Sequence, residues 1–200
     1  MKIAIIGTGG HSRVVSEIIK RKYKFKIHYF DDNKYESKIL IQGDTNLLLK
    51  NIKNYKYMFI AIGDNITRKF YFTKFTKHKS KMIALIDETA NIQNGVKINN
   101  GTIVFPQACI NTNTKIGKGC IINTNSVIEH DCKIGDFTHI SPASTVLGSV
   151  KIGSCSSVGA NSTILNNIEV EKNVIIGAST IVLKNISKNK KVVGNPQREI

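Results

Sequence analysis

A histidine flanked by two carboxylates, in the run Glu129-His130-Asp131, is the segment of this 200-residue chain best suited to acid–base chemistry. A neighbouring carboxylate can hold an imidazole in one tautomer, and the imidazole can then accept a proton near neutral pH. His130 is therefore a candidate general base. The alternative is an ordinary exposed histidine, and the element that carries the segment has to decide between the two.

That element is a strict six-residue repeat in which an Ile or Val recurs and a small residue often stands four places later. A prism with three flat faces can use a period of six, because each hexad supplies one short strand and one corner. The pattern predicts a left-handed parallel β-helix of about five to six coils with the aliphatic side chains inside. The aliphatic positions are 86, 92, 98, 104, 110, 116, 122, 128, 134, 140, 146, 152, 158, 164, 170, 176 and 182.

Stacking of the coils brings residues that are 18 apart onto neighbouring rungs, about 4.8 Å from each other. Gly148 follows His130 by 18 residues, so its backbone N–H is predicted to lie near the imidazole, where it can stabilise an oxyanion. His139 lies half a coil from His130, which predicts different faces of one subunit. Both can serve one site only if neighbouring subunits supply them, as in a cyclic trimer.

The four cysteines lie within the repeat and contain no C-x-x-C pair. Two of them, Cys120 and Cys132, occupy the small position of a hexad. We therefore predict packing residues rather than a disulfide framework or a metal site.

The segment before the repeat is predicted to be a small Rossmann-like α/β domain, because strands alternate with helices. We divide the chain into residues 1–82 and 83–200 on this basis. The predicted strands are 2–6, 27–30 and 57–62. The predicted helices carry Val14, Val15, Ile18 and Ile19 on one apolar face, and Phe70 and Phe75 as anchors within 66–77.

A glycine loop, Gly7-Thr-Gly-Gly-His11, follows the first strand and can offer backbone N–H groups to a phosphate. The dinucleotide fingerprint needs a third glycine where the chain has Ser12, so a nicotinamide cofactor is weakly supported. Asp31 ends the second strand, in position to accept a hydrogen bond from a nucleotide. Asp31 and Asp32 are equally well interpreted as turn residues.

The net charge of +15 suggests partners that carry phosphate: nucleic acid, anionic lipid or small phosphorylated ligands. Scattered lysines and few aromatic residues in the repeat argue against nucleic acid. The sequence contains no apolar run of 18 residues and begins with a strand rather than a signal peptide, so we predict a cytoplasmic protein with no membrane association.

The order of these segments resembles the sialic acid O-acetyltransferase (NeuD-like) family of hexapeptide-repeat acyltransferases. The likeness is strongest to N-acetyltransferases that act on UDP-4-amino-4,6-dideoxy sugars, including that of bacillosamine biosynthesis. It covers nearly the whole chain. It rests on Gly-x-x-Gly-His at 7–11, Phe-Asp-Asp at 30–32, Ala-Ile-Gly-x-Asn at 61–65 and Asn-Thr-x-Ser-Val-Ile-Glu-His-Asp at 123–131.

The resemblance implies a homotrimer with acetyl-CoA bound between adjacent β-helices and a nucleotide sugar held by the N-terminal domain. It assigns His130 as catalytic base and Asp131 as the acid that polarises it. By the same resemblance, His139 and Gly148 lie near the acetyl thioester, and Asn123 lies near the sugar. The resemblance also assigns four residues to the nucleotide-sugar pocket: His11, Asp31, Asp32 and Asn65. Arg13, beside them, stands where relatives often have another residue.

Other functions stay open at this point. Within the fold, the chain could O-acetylate a sialic acid or N-acetylate a GDP-linked amino sugar such as perosamine. Outside it, a basic nucleic-acid-binding module would use the positive charge, and a purely structural β-helix would leave Glu129-His130-Asp131 unexplained.

Overall fold

The structure, a computed structural model, describes residues 1–33, 40–78 and 81–200. The chain forms two compact units, Met1–Leu85 and Ile86–Ile200, where the sequence analysis set the boundary between residues 82 and 83. No helix among the described residues is long and apolar enough to cross a membrane.

The first unit is a four-stranded parallel sheet with helical connections, which confirms the predicted Rossmann-like α/β fold. Its sheet order is β3, β2, β1, β4. The sequence analysis did not identify β3 and α2. The strands are β1 (Lys2–Ile6), β2 (Lys26–Phe30), β3 (Ile41–Gly43) and β4 (Tyr57–Ile60). The helices are α1 (Gly10–Ile18), a π-helical turn (Ile19–Tyr23), α2 (Thr45–Lys50), a 3-10 turn (Ile52–Asn54) and α3 (Asn65–Thr76).

Strand β1 lies inside this sheet because residues 3–6 form a continuous apolar run, and all four are buried. Its carboxyl end leads directly into the glycine loop. The loop, the end of β2 and the end of β4 therefore lie at one edge of the sheet, where open α/β folds bind ligands.

Two predicted core contacts on the helices are wrong. Phe70 is 60% exposed, whereas Phe72 and Phe75 are buried. Phe70 lies roughly 200° around α3 from Phe72, because successive helical residues are about 100° apart. Val14 of α1 is likewise 46% exposed, beside the buried Val15.

The second unit is a parallel β-solenoid whose two-residue strands recur every six residues, as predicted. Three sheets form its faces. The first face contains β5 (Leu85–Ile86), β8 (Ile103–Val104), β11 (Ile121–Ile122), β14 (His139–Ile140), β17 (Ser157–Val158) and β20 (Ile175–Ile176). The second contains β6 (Asn91–Ile92), β9 (Cys109–Ile110), β12 (Val127–Ile128), β15 (Thr145–Val146), β18 (Thr163–Ile164) and β21 (Ile181–Val182). The third contains β7 (Lys97–Ile98), β10 (Lys115–Ile116), β13 (Lys133–Ile134), β16 (Lys151–Ile152) and β19 (Glu169–Val170).

The aliphatic residue of each hexad points into the prism, and from Val104 to Val182 all of them are buried. Each buried Ile or Val stabilises the fold by about 1.5–3 kcal/mol relative to an exposed one. The three at the N-terminal end, Ile86, Ile92 and Ile98, are partly buried. The core is thus one continuous column that no single coil could bury.

The small residues at the corners do more than fit a tight space. Thr102 donates its hydroxyl to Gly117 O at 2.7 Å and accepts the N–H of Cys120 at 3.0 Å. Cys120 itself donates its thiol to Gly135 O at 3.1 Å. A small side chain with a polar atom therefore satisfies backbone groups between rungs, which explains Thr, Ser and Cys at this position. Cys120, Cys132 and Cys155 are buried and Cys109 is half-buried.

From Gly95 to Ser179, the residue before the small position of each hexad adopts positive φ. Asn and Gly are common there because they tolerate the left-handed conformation. Asp131 is one of these residues, with φ of 61°, so the predicted catalytic acid is also a corner residue.

The lysines of the repeat are not scattered, which corrects the sequence analysis. Lys97, Lys115, Lys133 and Lys151 are direct neighbours in register on the third face. The period of six alone hides this column, because it appears only when residues 18 apart are compared.

The C-terminal segment adds two strands to the end of the sheet that forms the first face. Strand β22 (Lys191–Val193) pairs in parallel with β20, and β23 (Arg198–Glu199) pairs antiparallel with β22. Val192 of β22 is buried, so the C-terminal segment covers the end of the apolar column.

Candidate functional site

His130 lies at the corner between the second and third faces, directly after β12 and before β13. Its side chain is exposed, and its Nδ1 lies 2.9 Å from Asp131 Oδ2. When Nδ1–H donates to this carboxylate, Nε2 carries a lone pair and can accept a proton. The corner therefore holds the imidazole in the tautomer that a general base needs.

Asp131 has a second contact, since Asn113 Nδ2 donates to its Oδ1 at 3.4 Å from the rung below. The hydrogen bond from His130 is the largest effect on the pKa of the Asp131 carboxyl, and with that from Asn113 it outweighs desolvation and lowers the pKa. Asp131 is accordingly an anion at neutral pH that can orient the imidazole and stabilise its protonated form.

Gly148 lies against the imidazole, as the 18-residue stacking predicts. A Cβ at this position would lie 2.7 Å from Cε1 and 2.8 Å from Nε2 of His130, so the imidazole would have to move away. The next residue donates its backbone N–H to the carbonyl of His130 at 2.9 Å, which ties the two corners together. Glycine at this position leaves room for the imidazole in the orientation that it has in this structure.

Asn123 lies at the corner between the first and second faces, and it forms a separate pair with His139 of strand β14 on the first face. Asn123 Nδ2 lies 3.1 Å from His139 Nε2, while its Oδ1 accepts the N–H of Thr124 at 2.8 Å. Because its oxygen is engaged, the amide nitrogen donates to His139. The structure thus brings Asn123 to His139 on the first face and keeps both apart from His130, which lies at the corner between the second and third faces.

The N-terminal unit carries a cleft of about 420 Å³ at the carboxyl edge of its sheet. The glycine loop forms one wall, and the segment Ala61–Gly63 after β4 forms another. Among the predicted ligand-binding residues, His11, Asp31 and Asp32 line this cleft.

Asp31 fixes the shape of the glycine loop. Its Oδ2 accepts hydrogen bonds from Thr8 N at 2.9 Å and Thr8 Oγ1 at 2.8 Å, and its Oδ1 accepts the N–H of Asn33 at 3.0 Å. The turn interpretation and the ligand-binding interpretation therefore coexist, because the carboxylate both lines the cleft and holds its wall.

Asp32 is held by three donors: the N–H and hydroxyl of Thr45, at 2.7 and 2.8 Å, and the hydroxyl of Tyr71 at 2.7 Å. Desolvation acts to raise the pKa of Asp32, but these hydrogen bonds outweigh it and lower the pKa. Desolvation and the bond to Asp32 raise the pKa of Tyr71 to about 12. The pair is thus a phenol donating to a carboxylate across the neutral range.

His11 is held neutral. Burial, with a smaller contribution from the positive charge of Arg68, lowers the pKa of His11 to about 4. Arg68 is itself buried, and its guanidinium donates to Gly63 O at 2.7 Å and to Asn65 Oδ1 at 2.6 Å. Asn65 is therefore a buried support behind the segment that lines the cleft, and Arg13 is exposed on α1.

Several residues of these sites escaped the sequence analysis. Asn113 could have been found by subtracting 18 from Asp131, and Asn166, whose Nδ2 lies 3.4 Å from the Gly148 Cβ position, by adding 18 to Gly148. Thr45 and Tyr71 carry no such signal. Their contacts with Asp32 depend on how the whole α/β unit packs and not on a fixed spacing in the sequence.

Comparison with protein families divides the chain in the same way. Residues 2–75 match the PglD N-terminal domain, and residues 113–148 match the bacterial transferase hexapeptide repeats. A comparison of the sequence with curated proteins gave no match.

Three solved structures share the fold over 100% of this chain. The acetyltransferase domain of PglB from Neisseria gonorrhoeae FA1090 is 29% identical, with 99% of that chain covered and a TM-score of 0.93. The same domain in complex with acetyl coenzyme A is 28% identical, with 98% covered and a TM-score of 0.94. A mutant of perosamine N-acetyltransferase from Caulobacter crescentus, in complex with CoA and GDP-perosamine, is 26% identical, with 97% covered and a TM-score of 0.94.

These likenesses confirm the resemblance drawn from the motifs, since both halves of the chain find their match in acetyltransferases of this kind. The chain therefore joins a segment that matches the PglD N-terminal domain to a β-solenoid that matches bacterial transferase hexapeptide repeats, the arrangement found in these acetyltransferase structures.

Proposed function

We propose that the enzyme transfers an acetyl group from acetyl-CoA to the 4-amino group of a UDP-linked 4-amino-4,6-dideoxy sugar. The observation that carries this proposal is the corner at which the His130–Asp131 pair lies against Gly148. Acetyl-CoA is the co-substrate, in keeping with the related structures that contain it or CoA.

In the proposed mechanism the sugar amine attacks the thioester carbon, and His130 Nε2 accepts a proton from the nitrogen. A C–N bond forms, the N–H of Gly148 stabilises the oxyanion, and the C–S bond then breaks to release CoA thiolate, which takes up a proton. Asp131 stabilises the imidazolium through Nδ1–H. Because a neutral amine is already a good nucleophile, most of the acceleration comes from aligning the two substrates.

The N-terminal unit binds the nucleotide in this proposal. Gly9 and Gly10 line the cleft at the start of α1, and a helix N-terminus of this kind suits a diphosphate because its first backbone N–H groups have no partner within the helix. Asp31 and Asp32 offer carboxylate oxygens to a ribose or a base, and the neutral His11 can accept or donate a hydrogen bond without adding charge.

We further propose that three copies of the chain assemble through the second face. The outward residues of this face are mainly uncharged, and Leu147, Leu165 and Leu183 form a column in register, of which Leu165 and Leu183 are 37% and 43% exposed. His130 lies at one edge of this face and His139 at the other. A cyclic trimer would bring His130 of one copy to the Asn123–His139 pair of the next, with acetyl-CoA between them.

A GDP-linked amino sugar is the second candidate substrate, because the perosamine N-acetyltransferase structure contains GDP-perosamine. O-acetylation of a sialic acid is the third. All three use the same corner and differ only in what the N-terminal cleft binds.

The test is an assay of CoA release with a panel of acceptors: UDP- and GDP-linked 4-amino sugars and free sialic acid. We expect the highest kcat/KM with a UDP-linked amino sugar. If kcat/KM is higher with the GDP-linked sugars, the substrate is GDP-linked and the UDP part of the proposal is wrong. If only free sialic acid is turned over, N-acetylation is wrong. Light scattering checks the trimer, and Leu165→Glu together with Leu183→Glu should yield monomers without activity.

A further inference from the structure

The third face of the β-solenoid carries a column of like charges. The side chains of Lys97, Lys115, Lys133 and Lys151 point outward from four successive rungs and are exposed. Neighbouring strands are about 4.8 Å apart, so the column spans roughly 14 Å. Among the described residues, no carboxylate lies within ion-pair distance of the first three, and Lys151 lies 3.8 Å from Glu169.

A strip of glycines, which carry no side chains, runs beside this column. Gly117, Gly135 and Gly153 stand two residues after the three C-terminal lysines, on the same outward side of the sheet. A Cβ at Gly117 or Gly135 would lie 2.6 Å from a backbone nitrogen of the next rung, so these positions admit only glycine. The result is a shallow groove of about 640 Å³ with a backbone floor and a lysine wall.

The groove has defined ends. Asn99 replaces the glycine on the first rung, and Glu169 and Glu171 replace the lysine and the glycine on the last. Glu171 accepts the backbone N–H of Lys188 at 2.7 Å, which fixes the acidic end. Three successive Lys-Ile-Gly rungs thus lie between an amide and a pair of carboxylates.

Stacked lysines are unfavourable for the fold alone, because like charges directly opposite on neighbouring strands destabilise a sheet. The second face avoids the arrangement, since the corresponding outward positions of its six strands hold no charged residue. A column of like charges that is confined to one face and costs stability there points to a bound anion.

We propose that this groove binds a ligand with several phosphate groups arranged along the solenoid axis. Lysine suits phosphate as a compact charge with three donors. The C-terminal half of the column also lies next to the proposed catalytic corner, since Lys133 follows His130 by three residues and Lys151 follows Gly148 by three. The phosphates can belong to acetyl-CoA, in which case the inference rests on the proposed function, or to a separate polyphosphate ligand.

Nucleic acid fits the groove less well. Proteins that bind single strands stack the bases on aromatic side chains, and the third face presents only Lys, Gly, Asn and Glu on its strands.

The experiment compares two triple variants of the full chain. K115Q/K133Q/K151Q removes the column, and K53Q/K56Q/K69Q removes the same charge from exposed sites on the N-terminal unit. Calorimetry with inorganic tripolyphosphate measures binding without any need for turnover, so it is independent of the proposed function. We expect binding to the column variant to be about tenfold weaker, as three exposed charge contacts are lost, and binding to the control to be unchanged.

Kinetics then identify the source of the phosphates. A higher KM for acetyl-CoA in the column variant, with an unchanged KM for S-acetylpantetheine, assigns the groove to the co-substrate. Weaker tripolyphosphate binding with an unchanged KM for acetyl-CoA assigns it to a separate ligand. Equal tripolyphosphate binding and equal KM in all three proteins, with their circular dichroism unchanged, overturns the proposal.

Discussion

The two units position their polar side chains by opposite means. In the β-solenoid, His130 and Gly148 meet because a regular backbone stacks residues that are 18 apart. In the N-terminal unit, Asp32 meets Thr45 and Tyr71 because three separate elements pack together. The solenoid therefore uses exposed side chains on a self-sufficient scaffold, whereas the α/β unit uses side chains that also hold the scaffold in place.

This difference predicts how each unit responds to substitution. Removal of a functional side chain from the solenoid should change catalysis and leave stability nearly unaffected. The same change in the N-terminal cleft should alter stability as well. All six tyrosines lie in residues 1–85 and the chain has no tryptophan, so tyrosine fluorescence reports unfolding of the first unit alone.

The largest effect is expected for His130→Ala. Loss of a general base lowers kcat by about 10²-fold or more, while KM for both substrates stays similar because His130 acts on the transferred proton. The melting temperature should not change, since the side chain is exposed. Steady-state kinetics with His78→Ala as a control check this, and near-normal turnover of His130→Ala would falsify the assignment.

The second prediction compares two glycines, one at which a Cβ would meet a side chain and one at which it would meet the backbone. In Gly148→Ala the new methyl group displaces the His130 imidazole, so we expect a drop in kcat of roughly tenfold or more with little loss of stability. In Gly159→Ala the methyl group meets the backbone of Gly177 and Ala178, and overpacking should cost about 1–3 kcal/mol. Thermal unfolding and kcat are measured on both variants. If Gly148→Ala and Gly159→Ala both lose mainly stability, or both lose mainly kcat, the comparison is wrong.

The same contrast explains what could be predicted from the sequence. The register of the repeat located the core, the rung of His130 and its contact with Gly148, since all three follow from counting. The lysine column was missed although counting by 18 reveals it, because the lysines were compared with their neighbours in sequence. In the solenoid, a residue's place depends on its number alone.

No such count exists for the N-terminal unit. Asp31 and Asp32 were located at the end of β2, but their partners Thr8, Thr45 and Tyr71 come from elements whose packing a periodicity does not specify. Phe70 failed as a core anchor for the same reason. An amphipathic pattern with several phenylalanines leaves the buried face of α3 undecided until the sheet against which it packs is known.

A third prediction concerns His11, whose folded pKa of about 4 lies below the usual 6.5. The unfolded chain binds a proton at this site between pH 6.5 and 4 and the folded chain does not, so stability falls as the pH falls through this window. We expect the tyrosine-monitored urea midpoint of the wild type to drop from pH 7 to pH 5, and His11→Gln to show a shallower drop. An equally shallow drop in the control His78→Gln would assign the effect to general charge rather than to His11.

The smallest effect is expected for Tyr71→Phe, which removes one of three donors to Asp32. Stability of the first unit should fall by about 1 kcal/mol at pH 7, the usual net contribution of such a hydrogen bond. Because these donors keep the folded pKa of Asp32 low, their stabilisation is present above the unfolded value of about 3.9 and is lost as the pH falls below it. Urea unfolding at pH 7 and pH 3, with Tyr57→Phe as a control, should show a difference from wild type that shrinks in acid. A difference that is equal at both pH values would show that Tyr71 acts by packing alone, and the carboxylate network would then not be what holds this wall of the cleft.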